Sequence, residues 1–170
     1  MVKPVDHRTV LALAMGKPQL IAESGPKIID LWVIGIPQPK GSARAFVVKG
    51  RPIITSDNPS LKVWEQVIRG ALGTAGVELI KGPVTVELGF NLPIPKSRQP
   101  QPKSKDPLKR HPVPDTRPDL DKLIRSTLDA CSRICFEDDG RVVGVSAFKQ
   151  YALPVGVRIV VRPYPSLETT

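Results

Sequence analysis

The chain has only two cysteines, Cys131 and Cys135, and no second Cys or His pair stands near them. That spacing is too poor in ligands for a structural zinc site. It reads instead as a pair of buried or partly buried free thiols in a reducing cytoplasm. Aromatics make up only 5% of the residues. No apolar run approaches the roughly 18 to 20 residues that a membrane span needs. Thr9 to Met15 is apolar but short, and no small-residue cleavage pattern follows it, which argues against a signal peptide. Acids are also in short supply. There are 16 against 25 lysines and arginines, for a net charge of +9 and a pI near 9.8. Such a balance favours nucleic acid or another polyanion as partner.

What is plentiful is proline. Nineteen occur in 170 residues, a length that suits one domain with a real core. Eight of the prolines fall between Pro93 and Pro118. Seven basic residues share this stretch (Lys96, Arg98, Lys103, Lys105, Lys109, Arg110 and Arg117) against Asp106 and Asp115. A connection of this length inside a domain is usually functional or disordered. It reads either as a solvated, mobile loop or as an extended basic arm that orders on nucleic acid. His111, alone within it, reads as a surface residue.

The scarce acids are concentrated. Six of the 16 lie between Asp119 and Asp139: Asp119, Asp121, Asp129, Glu137, Asp138 and Asp139. The first three belong to a segment whose Leu120, Leu123, Ile124, Thr127, Leu128 and Cys131 form an apolar stripe at helical spacing. The opposite face then carries Asp121, Lys122, Arg125, Ser126 and Asp129. Thr116 reads as a possible cap of this helix. Asp119 and Asp121 are two residues apart and would diverge by about 200° in a regular helix. They converge only if Asp119 precedes the first helical turn. They read as ligands of one cation under that condition, and otherwise as capping and dipole acids. Glu137-Asp138-Asp139-Gly140 is an acidic turn into a predicted strand, Arg141 to Tyr151. A helix start and a strand start that both bear acids can meet at one end of a sheet, where hard carboxylate oxygens suit Mg²⁺. A plain Asp-Asp-Gly turn is the other reading.

Around this segment the pattern is mixed. Residues 1–28 read as an extension of unreadable role, 29–163 as the domain and 164–170 as a tail. Ile29 to Ile36 reads as a strand, and Ala45–Val48 with Pro52–Thr55 as a hairpin turning at Lys49-Gly50. Lys40, Arg44, Lys49 and Arg51 make this region basic, which fits a solvated turn or phosphate contact equally. Ser56-Asp57-Asn58-Pro59 supplies capping chemistry for a helix through Leu61, Trp64, Ile68, Leu72 and Ala75. Trp64 reads as core. Val84 to Leu92 alternates as a half-buried strand. Val155 to Val161 reads as the strand partner of 141–151.

Arg117-Pro-Asp-Leu-Asp-Lys-Leu-Ile-Arg125, Leu128-Asp-Ala130 and Glu137-Asp-Asp-Gly-Arg-Val-Val143 ending in Lys149 resemble the RusA family of Holliday junction resolvases. The Pro-x-Pro-Lys-Gly loop after the first strand resembles family members too. The likeness spans roughly residues 30 to 163. It implies a small mixed α/β (α+β) subunit of one domain with two main helices. It implies a cytoplasmic homodimer of bacterial or phage origin that binds branched DNA and cuts two symmetric strands of a four-way junction with Mg²⁺. By resemblance, Asp119, Asp121 and Asp139 match the essential acids, with Asp138 as an acidic neighbour at the metal. Arg125 stands where the family commonly has a catalytic lysine. Arginine does not readily release a proton, so at Arg125 the resemblance implies charge stabilisation of the phosphate. Lys122 stands where asparagine is common, and Lys149 matches a basic position. Lys40, Arg44, Lys96, Arg98, Lys109, Arg110, Arg117, Lys122 and Lys149 are the expected DNA contacts. A structure-specific DNA-binding protein with weak catalysis is the alternative, on account of Arg125. A generic basic RNA-binding protein would have no use for the acidic cluster.

Overall fold

The computed structural model describes residues 27–165 except Ser42, Lys49, Gly50 and Asp57, with the backbone alone over residues 43–56. The elements run β1 (Ile29–Ile34), β2 (Ala43–Val48), β3 (Arg51–Ser56), α1 (Leu61–Thr74), β4 (Val84–Leu92), α2 (Pro107–Arg110), α3 (Leu120–Cys131), β5 (Val142–Tyr151) and β6 (Gly156–Pro163). β1, β6, β4 and β5 form one mixed sheet in that order, and β2 with β3 forms a separate ribbon. This is the mixed α+β architecture with two main helices that the resemblance implied. Residues 1–26 of the 1–28 extension, residues 166–170 of the 164–170 tail and the Lys49-Gly50 turn lie outside the described residues.

The helices and the central strands follow from apolar periodicity. Leu61, Trp64, Ile68 and Leu72 are the buried stripe of α1. Leu123, Ala130 and Cys131 are buried on α3. Both helices pack on one face of the sheet, where Val86, Leu88 and Phe90 of β4 and Val157, Ile159 and Val161 of β6 complete the core. Trp64 is core, as its helical spacing predicts. Gly35, with φ +147°, lets β1 leave over this indole. A Cβ there would come within 2.7 Å of the Trp64 ring.

Several expectations give way. β5 and β6 are not partners. β4 lies between them, parallel to β5 and antiparallel to β6. The short link Ala152–Val155 crosses the end of β4, where Asn91 Nδ2 donates to the Pro154 carbonyl at 3.1 Å. Local pattern cannot distinguish this crossover from a hairpin, because both link strands of similar composition. The α1 cap is Ser60, with no side-chain capping bond. Asn58 Oδ1 instead accepts from Ser60 N–H at 3.1 Å, and Asp57 lies outside the described residues. Thr116 does not cap α3, whose N-cap is Asp119.

The basic connection 93–117 is neither featureless nor fully extended. It holds a 3₁₀ turn at Lys96–Arg98 and the single turn of α2. Gln101 N–H donates to the Lys109 carbonyl at 2.7 Å, and Arg98 donates to the Val113 carbonyl at 3.2 Å. The arm thus folds on itself, with its lysines outward.

Candidate metal and nucleic-acid site

The condition on Asp119 is met. It is the N-cap of α3, with φ −67° and ψ 135°, so its backbone is extended and helical geometry begins one residue later. Asp121 sits exposed on the first turn. Thus the 200° divergence of a regular helix does not apply to this pair. Lys149 fixes the approach to it. The ammonium, at the far end of β5, donates to the carbonyl oxygens of Thr116 (2.7 Å) and Pro118 (2.8 Å). Lys122 Nζ lies 2.9 Å from Asp119 Oδ2. The Lys122 hydrogen bond and charge hold the Asp119 carboxyl below its ordinary pKa, with Arg117 and Lys149 adding to the effect.

The second acidic motif is arranged differently. Asp138 caps the 3₁₀ turn Asp139–Arg141, accepting from Gly140 N–H at 2.8 Å. Glu137 pairs with Arg141 at 2.7 Å. Asp139 is exposed and has no ion-pair partner among the described residues. Its neighbours thus serve the turn, while its carboxylate is left open to solvent.

The two motifs do not meet within the chain, against expectation. Asp139 opens the 3₁₀ turn that leads into β5, three residues before Val142, which stands opposite Val84. Asp119 lies by Lys149, opposite Phe90. Val142 and Lys149 are seven residues apart, or roughly 23 Å at ~3.3 Å per residue. The cause is topological. α3 starts over the end of β5, and the chain beyond α3 returns to the opposite end, where Phe136 bridges to Ile80 just before β4. Accordingly no group of three or more His, Cys, Asp or Glu gathers as a metal cluster among the described residues. The chain offers two hard carboxylates at Asp119 and Asp121 and a third, Asp139, at a distance. That donor set fits Mg²⁺, which keeps several waters and accepts one or two carboxylates.

A feature that periodicity did not reveal is the strap of residues 37–41 across α3. Lys40 N–H donates to the Lys122 carbonyl at 2.9 Å. Ser126, assigned from its spacing to the polar face, is fully buried. Its hydroxyl donates to the Gln38 carbonyl at 2.7 Å. Lys40 Nζ pairs with Asp129, and Asn58 Nδ2 binds the Pro39 carbonyl at 2.9 Å.

The expected DNA contacts therefore fall into two groups. Lys40, Arg98, Lys122 and Lys149 are engaged with Asp129, Asp115, Asp119 and backbone carbonyls respectively. Lys96, Lys109, Arg110 and Arg117 are exposed and have no ion-pair partner among the described residues, and the same holds for Arg125, the residue expected to stabilise charge on the phosphate. Arg44 lies on β2 opposite Thr55, and its side chain lies outside the described atoms. The thiols of Cys131 and Cys135 are buried and free. No helix among the described residues is long and apolar enough to cross a membrane.

A family model described as endodeoxyribonuclease RusA matches residues 37–162. An uncharacterized protein of Bacillus subtilis (strain 168), YqaN, is 26% identical over 136 residues, covering 79% of this chain and 95% of that protein.

Proposed function

The chain belongs to the RusA family of endodeoxyribonucleases, and from that premise we propose a Mg²⁺-dependent nuclease that cuts four-way DNA junctions as a homodimer, each active centre drawing on both subunits. One observation carries the second half of this reading: Asp119 and Asp139 stand at opposite ends of β5, and β5 is one of the two edge strands of the sheet, with no further strand beside it among the described residues. A two-fold pairing of β5 edges runs them antiparallel. Asp139 of one copy then comes beside Asp119 and Asp121 of the other, twice over. Val143, Val145 and Phe148 are 55%, 43% and 56% exposed along this strand. An exposed apolar edge strand is a ready surface for pairing.

Asp119, Asp121 and Asp139 would hold the cation, and Asp138 keeps the Asp139 turn in shape. When bound, Mg²⁺ supplies activation of a water and neutralisation of the scissile phosphate. Arg125, one turn beyond Asp121 on the same helix face, offsets charge that develops on that phosphate. Lys96, Lys109, Arg110 and Arg117 neutralise phosphates along the junction arms, so affinity falls steeply with salt. Lys149 acts behind the site, orienting the residues before Asp119. A two-fold dimer matches the two-fold symmetry of a junction and presents two centres to opposed strands.

The test is cleavage of a labelled synthetic four-way junction, with linear duplex of the same sequence as control. Paired symmetric nicks that require Mg²⁺ and vanish in Asp121→Asn support the reading. Tight junction binding with no cut would favour a binding protein whose Arg125 no longer supports catalysis. Equal binding to junction and duplex without cleavage would refute the junction reading.

A further inference from the structure

We propose that Lys122 is a tethered counter-cation that a divalent ion must displace from Asp119, and that the displaced ammonium then contacts the bound DNA. This rests on the carboxylate site above and adds a regulator to it. Lys122 Nζ lies 2.9 Å from Asp119 Oδ2, so the ammonium already occupies a carboxylate that the proposed cation site would use. The two side chains are 37% and 44% exposed, so the contact can open. It is an i, i+3 pair at a helix start, with Asp119 already in extended backbone. Its partners are therefore brought together by the chain itself. Lys149 does not fill the same role, because its ammonium is held by two backbone carbonyls.

The arrangement addresses a physical difficulty of such sites. Bare carboxylates repel DNA until a cation arrives, and like charges in proximity are unfavourable. An ammonium on Asp119 removes one negative charge from the metal-free surface. Metal binding then exchanges one cation for another and releases Lys122 beside the strand to be cut. Metal and DNA are thereby coupled: the released ammonium is available only in the metal-loaded protein.

The measurement is Mn²⁺ titration of the full-length protein, read from the electron paramagnetic resonance signal of the free ion. Wild type is compared with Lys122→Asn, Lys122→Arg and Asp121→Asn. An exposed ion pair is weak, so Lys122→Asn is expected to tighten Mn²⁺ binding roughly two- to fivefold. Lys122→Arg keeps a cation at the position and is expected to stay near wild type. A second readout is the salt dependence of junction binding. With Ca²⁺, under conditions where no product forms, Lys122→Asn should lower the slope of log K against log salt by about 0.9, one phosphate contact. In EDTA the slope should not change. Unchanged or weaker Mn²⁺ binding in Lys122→Asn, with Asp121→Asn still impaired, overturns this role for Lys122 alone. Equal Mn²⁺ binding by wild type and Asp121→Asn overturns the carboxylate site itself, and the role of Lys122 with it.

Discussion

Lys149 donates to the Pro118 carbonyl at 2.8 Å, which ties the far end of β5 to the residue just before Asp119. The same ammonium holds the Thr116 carbonyl at 2.7 Å. A side chain on the sheet therefore sets where the acidic helix begins. Lys149→Met leaves two carbonyls without their charged donor. At a half-exposed position this should cost about 1–2 kcal/mol, or roughly 3–6 °C in Tm. Junction cleavage should fall further than stability does, because Asp119 loses its support. Thermal unfolding and single-turnover cleavage measure the two. A variant that melts and cuts like wild type would remove Lys149 from the site.

Arg125 sits exposed one helical turn beyond Asp121, and the proposed mechanism gives it the charge that develops on the phosphate. Arg125→Ala should lower cleavage about 10²-fold, the usual effect of removing one donor to developing charge. Arg125→Lys should retain most of the rate. Binding of the uncut junction should change little in either variant. Rates of Arg125→Ala equal to wild type would leave that charge to other residues.

Of the glycines in the sheet, Gly156 has the least room for a side chain. A Cβ there would lie 2.2 Å from the Val33 carbonyl oxygen, in the β1–β6 pairing. Backbone cannot yield as a side chain can, so Gly156→Ala should cost about 3 kcal/mol or more. Gly89 is the contrast. Its added Cβ would meet the ring end of the exposed Phe148 at 2.9 Å, which can turn away. Gly89→Ala should stay within about 1 kcal/mol of wild type. Urea unfolding of the two variants checks the difference.

Cys131 is held protonated well above the ordinary thiol range, first by its hydrogen bond with Cys135 and then by burial. As pH rises past the ordinary thiol value of about 8.5, the unfolded chain loses this proton while the folded chain keeps it. Stability from this group is full below that pH and declines above it. The urea midpoint should thus drop between pH 8 and pH 10, and drop less in Cys131→Ala. Native protein should resist a thiol reagent at pH 8 until denatured. Rapid native labelling would contradict the buried pair.

The parts of this fold that periodicity encodes were legible. The apolar stripes of α1 and α3 and the alternation of Val84, Val86, Leu88 and Phe90 marked buried faces that the structure keeps. The special position of Asp119 could be posed from the sequence as a condition, since its spacing from Asp121 is fixed by helix geometry. Strand order could not be read. Whether β6 pairs with β5 or with β4 depends on a crossover of four residues, and a local pattern carries no information on register across the sheet. The buried Ser126 was illegible for a similar reason. Its partner is the Gln38 carbonyl, 88 positions away, and a lone serine on a polar stripe carries no mark of that contact. The separation of Asp119 from Asp139 along β5 follows from the same long-range topology.

That separation yields the most direct measurement. Asp121→Asn and Asp139→Asn proteins, each inactive alone, are mixed, allowed to exchange subunits, and tested on the four-way junction with Mg²⁺. In a heterodimer with shared centres, one centre combines intact Asp119, Asp121 and Asp139, and the other carries both substitutions. Nicking of a single strand per junction should then reappear, without the paired cut of wild type. No recovery in a mixture shown to contain heterodimers, while wild type cleaves, would contradict a centre built from both chains.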